Sequence, residues 1–350
     1  MKRTSLGAVL LLTTVVEVVS AETQQTEPRT IPSRTIPTPS SVSLELQRAL
    51  QQSPAPDTPP PRTRDDWKAL TEPSASSEES SFQELRALRQ RLGVTVVPKV
   101  IGGVRCYIVT PKEIPLKNRN RLILNLHHGG FIWGGGELGT EWAMQLASSL
   151  GYRIIVVDYR LLPDYPFPAE IDDVSAVWKS ISKSNDPRNI AVVGGSVGGG
   201  MVLSLVQRAK LDGAPVPGAV VSFSPGAADL SKTGDTWYTN AGVDGTVVYD
   251  GFWETVFKAY ANGRDLKDPA VSPLYGSFKG FPPTYLVSGT RDVFLSDTVR
   301  VQSKLMEAGT LTQLVVVEGL PHPGFLMMDI PEVKEVYVHV AEFLDAQLSH

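Results

Sequence analysis

The chain has 350 residues, with 33 Lys and Arg against 37 Asp and Glu, a 42% hydrophobic fraction and one cysteine. That length allows one large domain or two average ones, and that hydrophobic content excludes wholesale disorder. A net charge of -4 argues against a nucleic-acid binder. Cys106 alone excludes an intramolecular disulfide framework and a Cys-rich zinc module.

Lys2 and Arg3 precede an apolar run, GAVLLLTTVV (7–16), and Val19-Ser20-Ala21 is a small-residue cleavage pattern. This predicts a secretory signal peptide over residues 1–21, cut after Ala21. The apolar run is about half the ~20 residues a spanning helix needs, and no later stretch reaches ~18. An exported chain, periplasmic or extracellular, with no stable membrane insertion is therefore expected. Residues 22–82 hold ten of the 27 prolines and ten serines, including PAPDTPPPR (54–62) and SASSEESS (74–81). Such a stretch buries too little apolar surface to offset its chain entropy, so it reads as a mostly disordered linker. Ser43–Gln51 and Asp66–Leu70 are the parts suited to short helices.

The folded domain is expected over 83–350. FQELRALRQRLG (82–93) has helical spacing and stops at Gly93. VTVVPKV and GVRCYIVTP read as two strands joined near Gly102-Gly103. Further strands are RLILNLH (121–127), YRIIVVDYR (152–160), NIAVVGG (189–195), AVVSFSP (219–225), TYLVSGT (284–290) and QLVVVEG (313–319). These runs lack period-2 alternation, as strands buried on both faces do. Helical patterns fall between them at 140–150, 169–183, 197–212, 295–309 and 331–349. The alternation predicts an α/β fold with a mostly parallel, doubly wound sheet. Residues 226–280 break the rhythm and carry Trp237, Tyr238, Phe252, Trp253, Phe257 and Tyr260, which predicts an inserted, partly helical lid or cap.

Gly194-Gly195-Ser196-Val197-Gly198 fits G-x-S-x-G between an apolar strand and an apolar helix. A turn this sharp crowds the backbone, and small residues leave room for a serine hydroxyl lifted out at the strand's end. The helix N-terminus behind it favours developing negative charge. A plain glycine turn or a phosphate loop also fits the pattern, although a phosphate loop wants a Lys that is absent. His127-His128-Gly129-Gly130 follows another strand. The N–H groups of Gly129, Gly130 and Val197 are candidate donors to a tetrahedral oxyanion, each such donor being worth about 3–4 kcal/mol in enzymes of this type.

With these segments on view, the chain resembles the hormone-sensitive lipase-like family of α/β-hydrolases, which includes many bacterial carboxylesterases. DYRLLPDYPFPAEIDD (158–173) matches the family segment between the oxyanion loop and the serine. Asp268-Pro269-Ala270-Val271-Ser272-Pro273 matches another ahead of the acid. The likeness spans roughly 83–350 and implies an α/β-hydrolase fold. His128 replaces the first glycine of the usual His-Gly-Gly-Gly, while Gly129 and Gly130 match the usual donors. Gly195 and Val197 replace the family's common Asp and Ala around the serine. These departures bear on substrate size, with His128 expected to narrow the pocket or touch substrate.

A serine needs a base. His322, in GLPHPGF after the last strand, stands where the order Ser, Asp, His requires it. Asp292, directly after TYLVSGT, is the expected acid. Asp297, one turn further on, suits a helix cap or the surface. Phe131, Trp133, Trp237 and Phe325 are candidate pocket walls, with lid core as the alternative. The expected activity is a serine carboxylic-ester hydrolase of the carboxylesterase type, needing no metal or organic cofactor. Its partner is a small-molecule ester, and its oligomeric state stays open. The resemblance implies short- to medium-chain acyl esters, with lactones as a further class. A non-catalytic receptor, as in the plant gibberellin receptors similar to this family, and a lyase or dehydratase on the same scaffold are the rival functions.

Overall fold

A computed structural model describes residues 29–51, 58–72 and 74–348. The candidate signal segment, 1–21, lies outside them. Eight strands form one sheet: β1 Thr95–Ile101, β2 Val104–Thr110, β3 Leu122–Leu126, β4 Arg153–Val157, β5 Ile190–Gly195, β6 Ala219–Phe223, β7 Thr284–Gly289 and β8 Thr312–Val317. Their spatial order is β1-β2-β4-β3-β5-β6-β7-β8. Only the β1–β2 and β2–β4 pairings are antiparallel; the other five are parallel. The parallel strands are the apolar runs without alternation, and every residue of β5, β6 and β7 is buried. A parallel sheet covered on both faces demands that composition.

Alternate residues feed two cores. Leu124, Val192 and Val220 face one layer, and Ile123, Val193 and Val221 the other. The first layer is roofed by α5 (Ala169–Ser184), α6 (Val197–Leu211) and α9 (Leu295–Glu307), and the second by α3 (Ala75–Leu92), α4 (Glu141–Leu150) and α10 (Pro331–Gln347). Cys106 lies buried in β2, and burial pushes its thiol up to about 12, which leaves it unreactive.

The stretch expected to be linker carries more structure than its composition suggests. The compact unit begins at Thr38, and residues 29–37, outside it, have no helix or strand. α1 (Leu44–Leu50) buries Leu46 completely, a contribution of about 2 kcal/mol. Ser43 caps that helix, and its N–H and hydroxyl donate to the Glu332 carboxylate on α10 at 2.6 and 2.8 Å. α2 (Arg64–Thr71) opens with a Thr63/Asp66 capping box. α3 starts at Ala75, not Phe82, because Ser74 caps it and the following Ser/Glu run forms its exposed first turns. The proline content is real, but three caps and one buried leucine organise the chain between and beyond the prolines.

Within 226–280 lie α7 (Thr236–Thr239), a kinked turn at Tyr249–Trp253 where Asp250 and Gly251 leave helical φ/ψ, and α8 (Glu254–Ala261). Phe257 and Tyr260 of α8 belong to the main core, so this insertion is anchored rather than merely laid on top.

Candidate active site

Five connections that leave the carboxyl ends of parallel strands build the site: those after β3, β5, β6, β7 and β8. Ser196 links β5 to α6 with φ 56 and ψ -126, a conformation that L side chains rarely adopt. Its N–H donates to Phe223 O at 2.9 Å, and its carbonyl accepts from Gly200 and Gly226 at 3.2 and 2.9 Å. The turn explains its glycines. A Cβ at Gly194 would stand 2.2 Å from Gly198 O, and one at Gly198 would stand 2.1 Å from Leu126 O.

Ser196 Oγ and His322 Nε2 are 2.9 Å apart. His322 Nδ1 lies 3.5 Å from Asp292 Oδ1, too far for a good hydrogen bond. Ser224, just past β6, fills that gap. Its hydroxyl donates to Asp292 Oδ2 at 2.6 Å and also contacts His322 Nδ1. Ser288 donates to the same Oδ2 at 2.7 Å, and the Phe294 N–H donates to Oδ1 at 2.8 Å. Burial alone pushes the Asp292 carboxyl up. The imidazole of His322 beside it, with the hydroxyls of Ser224 and Ser288, more than offsets this and holds it below the ordinary carboxylate range. Asp292 is therefore the charged partner in the trio. Asp297 is not at the surface and caps nothing. It is fully buried on α9, with Oδ1 3.4 Å from Arg300 Nη1.

The loop after β3 holds Gly129 at φ 122 and Gly130 at φ 64. Among the described residues, no hydrogen bond uses the N–H of Gly129, Gly130 or Val197. Three donors at the site are thus left for a ligand. The loop is braced from below by the DYR segment. Tyr159 stacks on His127 at 4.0 Å and donates to its carbonyl at 2.8 Å. Asp158 Oδ1 accepts the Gly136 N–H at 2.8 Å, and Arg160 grips Asp173 with two bonds of 2.9 Å. Burial pushes His127 and His128 down to about 4, so both rings are neutral near pH 7.

The expected pocket walls divide. His128 is half-buried, edge-on to Trp142 and Phe325 at 6.4 and 6.1 Å, with Nδ1 unpartnered among the described residues. Trp133 is 41% exposed, stacks on Phe252 and donates its indole N–H to Leu70 O of α2 at 2.9 Å. Phe325 is buried against the serine turn, where its ring holds the space a Cβ at Gly195 would need. Phe131 and Trp237 take up the core alternative. Phe131 is 2% exposed and lies face to face with Tyr260 at 3.7 Å. Trp237 is wedged between Tyr249 and Phe294. A hydrophobic loop residue has the lowest free energy in the core, and both reach it.

Two further residues stand near the site: Trp253, which the sequence marked only as a lid aromatic, and Asp244, which carried no usable sequence signal. Trp253 covers the oxyanion loop so closely that a Cβ at Gly130 would stand 2.3 Å from its ring. Asp244 accepts the backbone N–H of His322 at 2.9 Å.

A family model described as alpha/beta hydrolase fold matches residues 123–327. The crystal structure of an esterase E25 superposes with a TM-score of 0.86 at 39% identity, covering 92% of this chain and 99% of that one. An esterase from the bacterial hormone-sensitive lipase family superposes with a TM-score of 0.70 at 26% identity, covering 88% and 99%. An esterase of Acinetobacter venetianus is 27% identical over 265 residues, 75% of this chain and 85% of the relative. The chain belongs to the α/β-hydrolase fold family, in its hormone-sensitive lipase-like branch. Within that family it is a carboxylic-ester hydrolase of the carboxylesterase type.

Proposed function

We propose that the chain hydrolyses short- to medium-chain acyl esters, lactones among them, through an acyl-enzyme on Ser196. The observation that carries this is the 2.9 Å approach of Ser196 Oγ to His322 Nε2 at a strand-to-helix turn. His322 takes the Ser196 proton as Oγ bonds to the ester carbonyl carbon. The N–H groups of Gly129, Gly130 and Val197 receive the oxyanion. Collapse breaks the ester C–O bond, and the leaving alcohol takes the proton from His322. Water then gives its proton to His322 and attacks the acyl carbon. The second collapse frees the carboxylic acid and returns the proton to Ser196. Asp292 keeps the imidazole in the productive tautomer and stabilises its cation.

The aromatic cover of Trp133, Phe252 and Trp253, with Trp253 packed onto Gly130, supports a preference for small acyl groups. Insertion 226–280 serves as the lid in this reading. The charged n-region, the apolar run and the cleavage pattern within residues 1–21 support export, with mature protein starting at Glu22. N-terminal sequencing of the protein outside the cytoplasm tests that; an intact Met1 in the exported fraction overturns it.

The function is tested with purified chain on nitrophenyl esters of increasing acyl length, with and without a serine-directed organophosphonate. The expected result is turnover that declines with longer chains and a label on Ser196. Absence of both turnover and label overturns the reading and favours the non-catalytic receptor.

A further inference from the structure

We infer that Asp244, supplied by the insertion between β6 and β7, is a positioning residue that holds the backbones of the acid and the base together. The inference rests on the reading of Ser196, His322 and Asp292 as the reacting group.

Asp244 is 4% exposed, and its two carboxylate oxygens have different tasks. Oδ1 closes a local turn, accepting the N–H groups of Thr246 and Val247 at 3.2 and 3.3 Å and the Thr246 hydroxyl. Short polar side chains commonly do this in loops. Oδ2 does something a local turn does not require. It accepts the N–H of His322 at 2.9 Å and the N–H of Val293 at 3.2 Å. The first belongs to the base itself, and the second to the residue that follows the acid. Two loops leaving different strands thus meet on one oxygen atom. The same insertion also reaches the acid through Asn240, whose side-chain amide donates to Asp292 O at 2.8 Å.

A carboxylate is suited to this position because both oxygens accept without donating. An Asn would place an NH2 group against either the turn amides or the acid and base amides, leaving one set without an acceptor. The cost of such a mismatch falls on geometry. The Ser196–His322 contact depends on where the His322 backbone is held, and a 1 Å displacement in an active site costs about 10²-fold in rate. Burial and the neighbouring Asp292 push the Asp244 carboxyl up, while His322 opposes them. The site therefore carries two acids against one imidazole.

The test compares Asp244→Ser, Asp244→Asn and Thr246→Val with wild type in the full chain. Serine can close the local turn but cannot reach the His322 and Val293 amides. We expect kcat in Asp244→Ser and Asp244→Asn to fall by about 10- to 100-fold, with KM within about 2-fold and organophosphonate labelling of Ser196 slowed in parallel. Thr246→Val, which loosens Oδ1 only, is expected to lose a smaller part of kcat. A folded Asp244→Ser with wild-type kcat overturns the inference and leaves Asp244 a turn residue. If neither Asp244 variant folds, Thr246→Val decides: a lowered kcat at unchanged KM supports the inference, and a wild-type kcat overturns it. Ser196→Ala separates the two levels. Retained turnover there defeats the nucleophile assignment itself, whereas lost turnover with unaffected Asp244 variants defeats only the role of Asp244.

Discussion

The Ser224 hydroxyl donates to Asp292 Oδ2 at 2.6 Å and meets His322 Nδ1 on its other side. The direct separation of Asp292 Oδ1 from His322 Nδ1 is 3.5 Å, so part of the carboxylate's hold on the imidazole runs through this hydroxyl. Ser224 also has φ 46, a backbone angle glycine adopts at no cost. That separates two explanations. Ser224→Gly relieves the backbone and removes the hydroxyl, whereas Ser224→Ala removes the hydroxyl alone. If the hydroxyl matters, both variants lose kcat by about 10-fold with little change in KM, as expected for an interaction serving the transition state. Steady-state kinetics on a nitrophenyl ester decide it. A Gly variant as active as wild type assigns Ser224 to the turn only.

The two acidic residues after β7 are expected to behave oppositely. Asp292→Asn removes the charge beside His322 and permits the wrong imidazole tautomer, with a loss of about 10⁴-fold in kcat as its counterpart in serine proteases shows. Asp297 is a different case. Burial, with Asp229 beside it, raises its carboxyl well above the ordinary carboxylate range, while Arg300 opposes the rise. A carboxyl whose folded value is raised binds its proton more tightly in the native state. Its contribution to stability is full below the ordinary value of 3.8 and declines as pH climbs through the folded value. Asn mimics the protonated form, so Asp297→Asn should keep kcat and become progressively more stable than wild type as pH rises. Melting temperatures from about pH 4 to about pH 8 read this directly. A variant that gains nothing with pH shows that Asp297 is charged in the fold.

Much of this architecture is legible in the sequence because burial leaves a signature in composition. A strand covered on both faces must be apolar throughout, so β3 to β7 announce themselves, and the glycines around Ser196 mark a turn too tight for a Cβ. The residues that were not legible act through contacts distant in sequence. Asp244 lies 49 and 78 positions from the amides it accepts, and its Val-Asp-Gly context is that of any loop. Ser224 follows a strand and precedes a proline, which is ordinary turn chemistry. The helix over 82–93 was legible, but the first turns of α3 were not, because they are exposed Ser and Glu with no apolar periodicity and only the cap at Ser74 marks their start. Phe131 and Trp237 illustrate the converse, since an aromatic side chain in a loop does not declare whether it faces a ligand or the core.

Gly195, directly before the nucleophile candidate, has no room for a side chain because Phe325 packs against it. A Cβ at Gly195 would stand 2.5 Å from Phe325 Cε2. Forcing an atom into a packed core costs about 1–3 kcal/mol. Gly195→Ala should lose about that much in urea unfolding. Phe325→Leu, combined with it, should recover part of the loss, giving a coupling between the two changes larger than additivity allows. Additive losses instead show that the two residues do not share the space.

Glu170 supplies the last expectation, this time about pH. It is 2% exposed on α5, and its Oε1 accepts the Tyr260 hydroxyl of α8 at 2.5 Å. Its Oε2 is buried without a partner among the described residues. Burial raises the carboxyl from its ordinary 4.5 to about 7, although the Tyr260 hydrogen bond pulls the other way. Because the folded value is the higher one, the protonated form is favoured in the native state. Stability from this group is therefore fullest below pH 4.5 and is lost as pH rises towards 7, in total about 3 kcal/mol. Tyr260 also carries the stacked ring of Phe131 from the oxyanion loop, so this titration sits beneath the lid and the site together. Glu170→Gln keeps an acceptor for Tyr260 and places a neutral donor where the proton would be. The variant should match wild type near pH 4.5 and exceed it in unfolding free energy near pH 7, with kcat retained. Denaturant titrations at those two values measure the difference, and parallel pH curves for the two proteins assign the Glu170 carboxyl an ordinary titration.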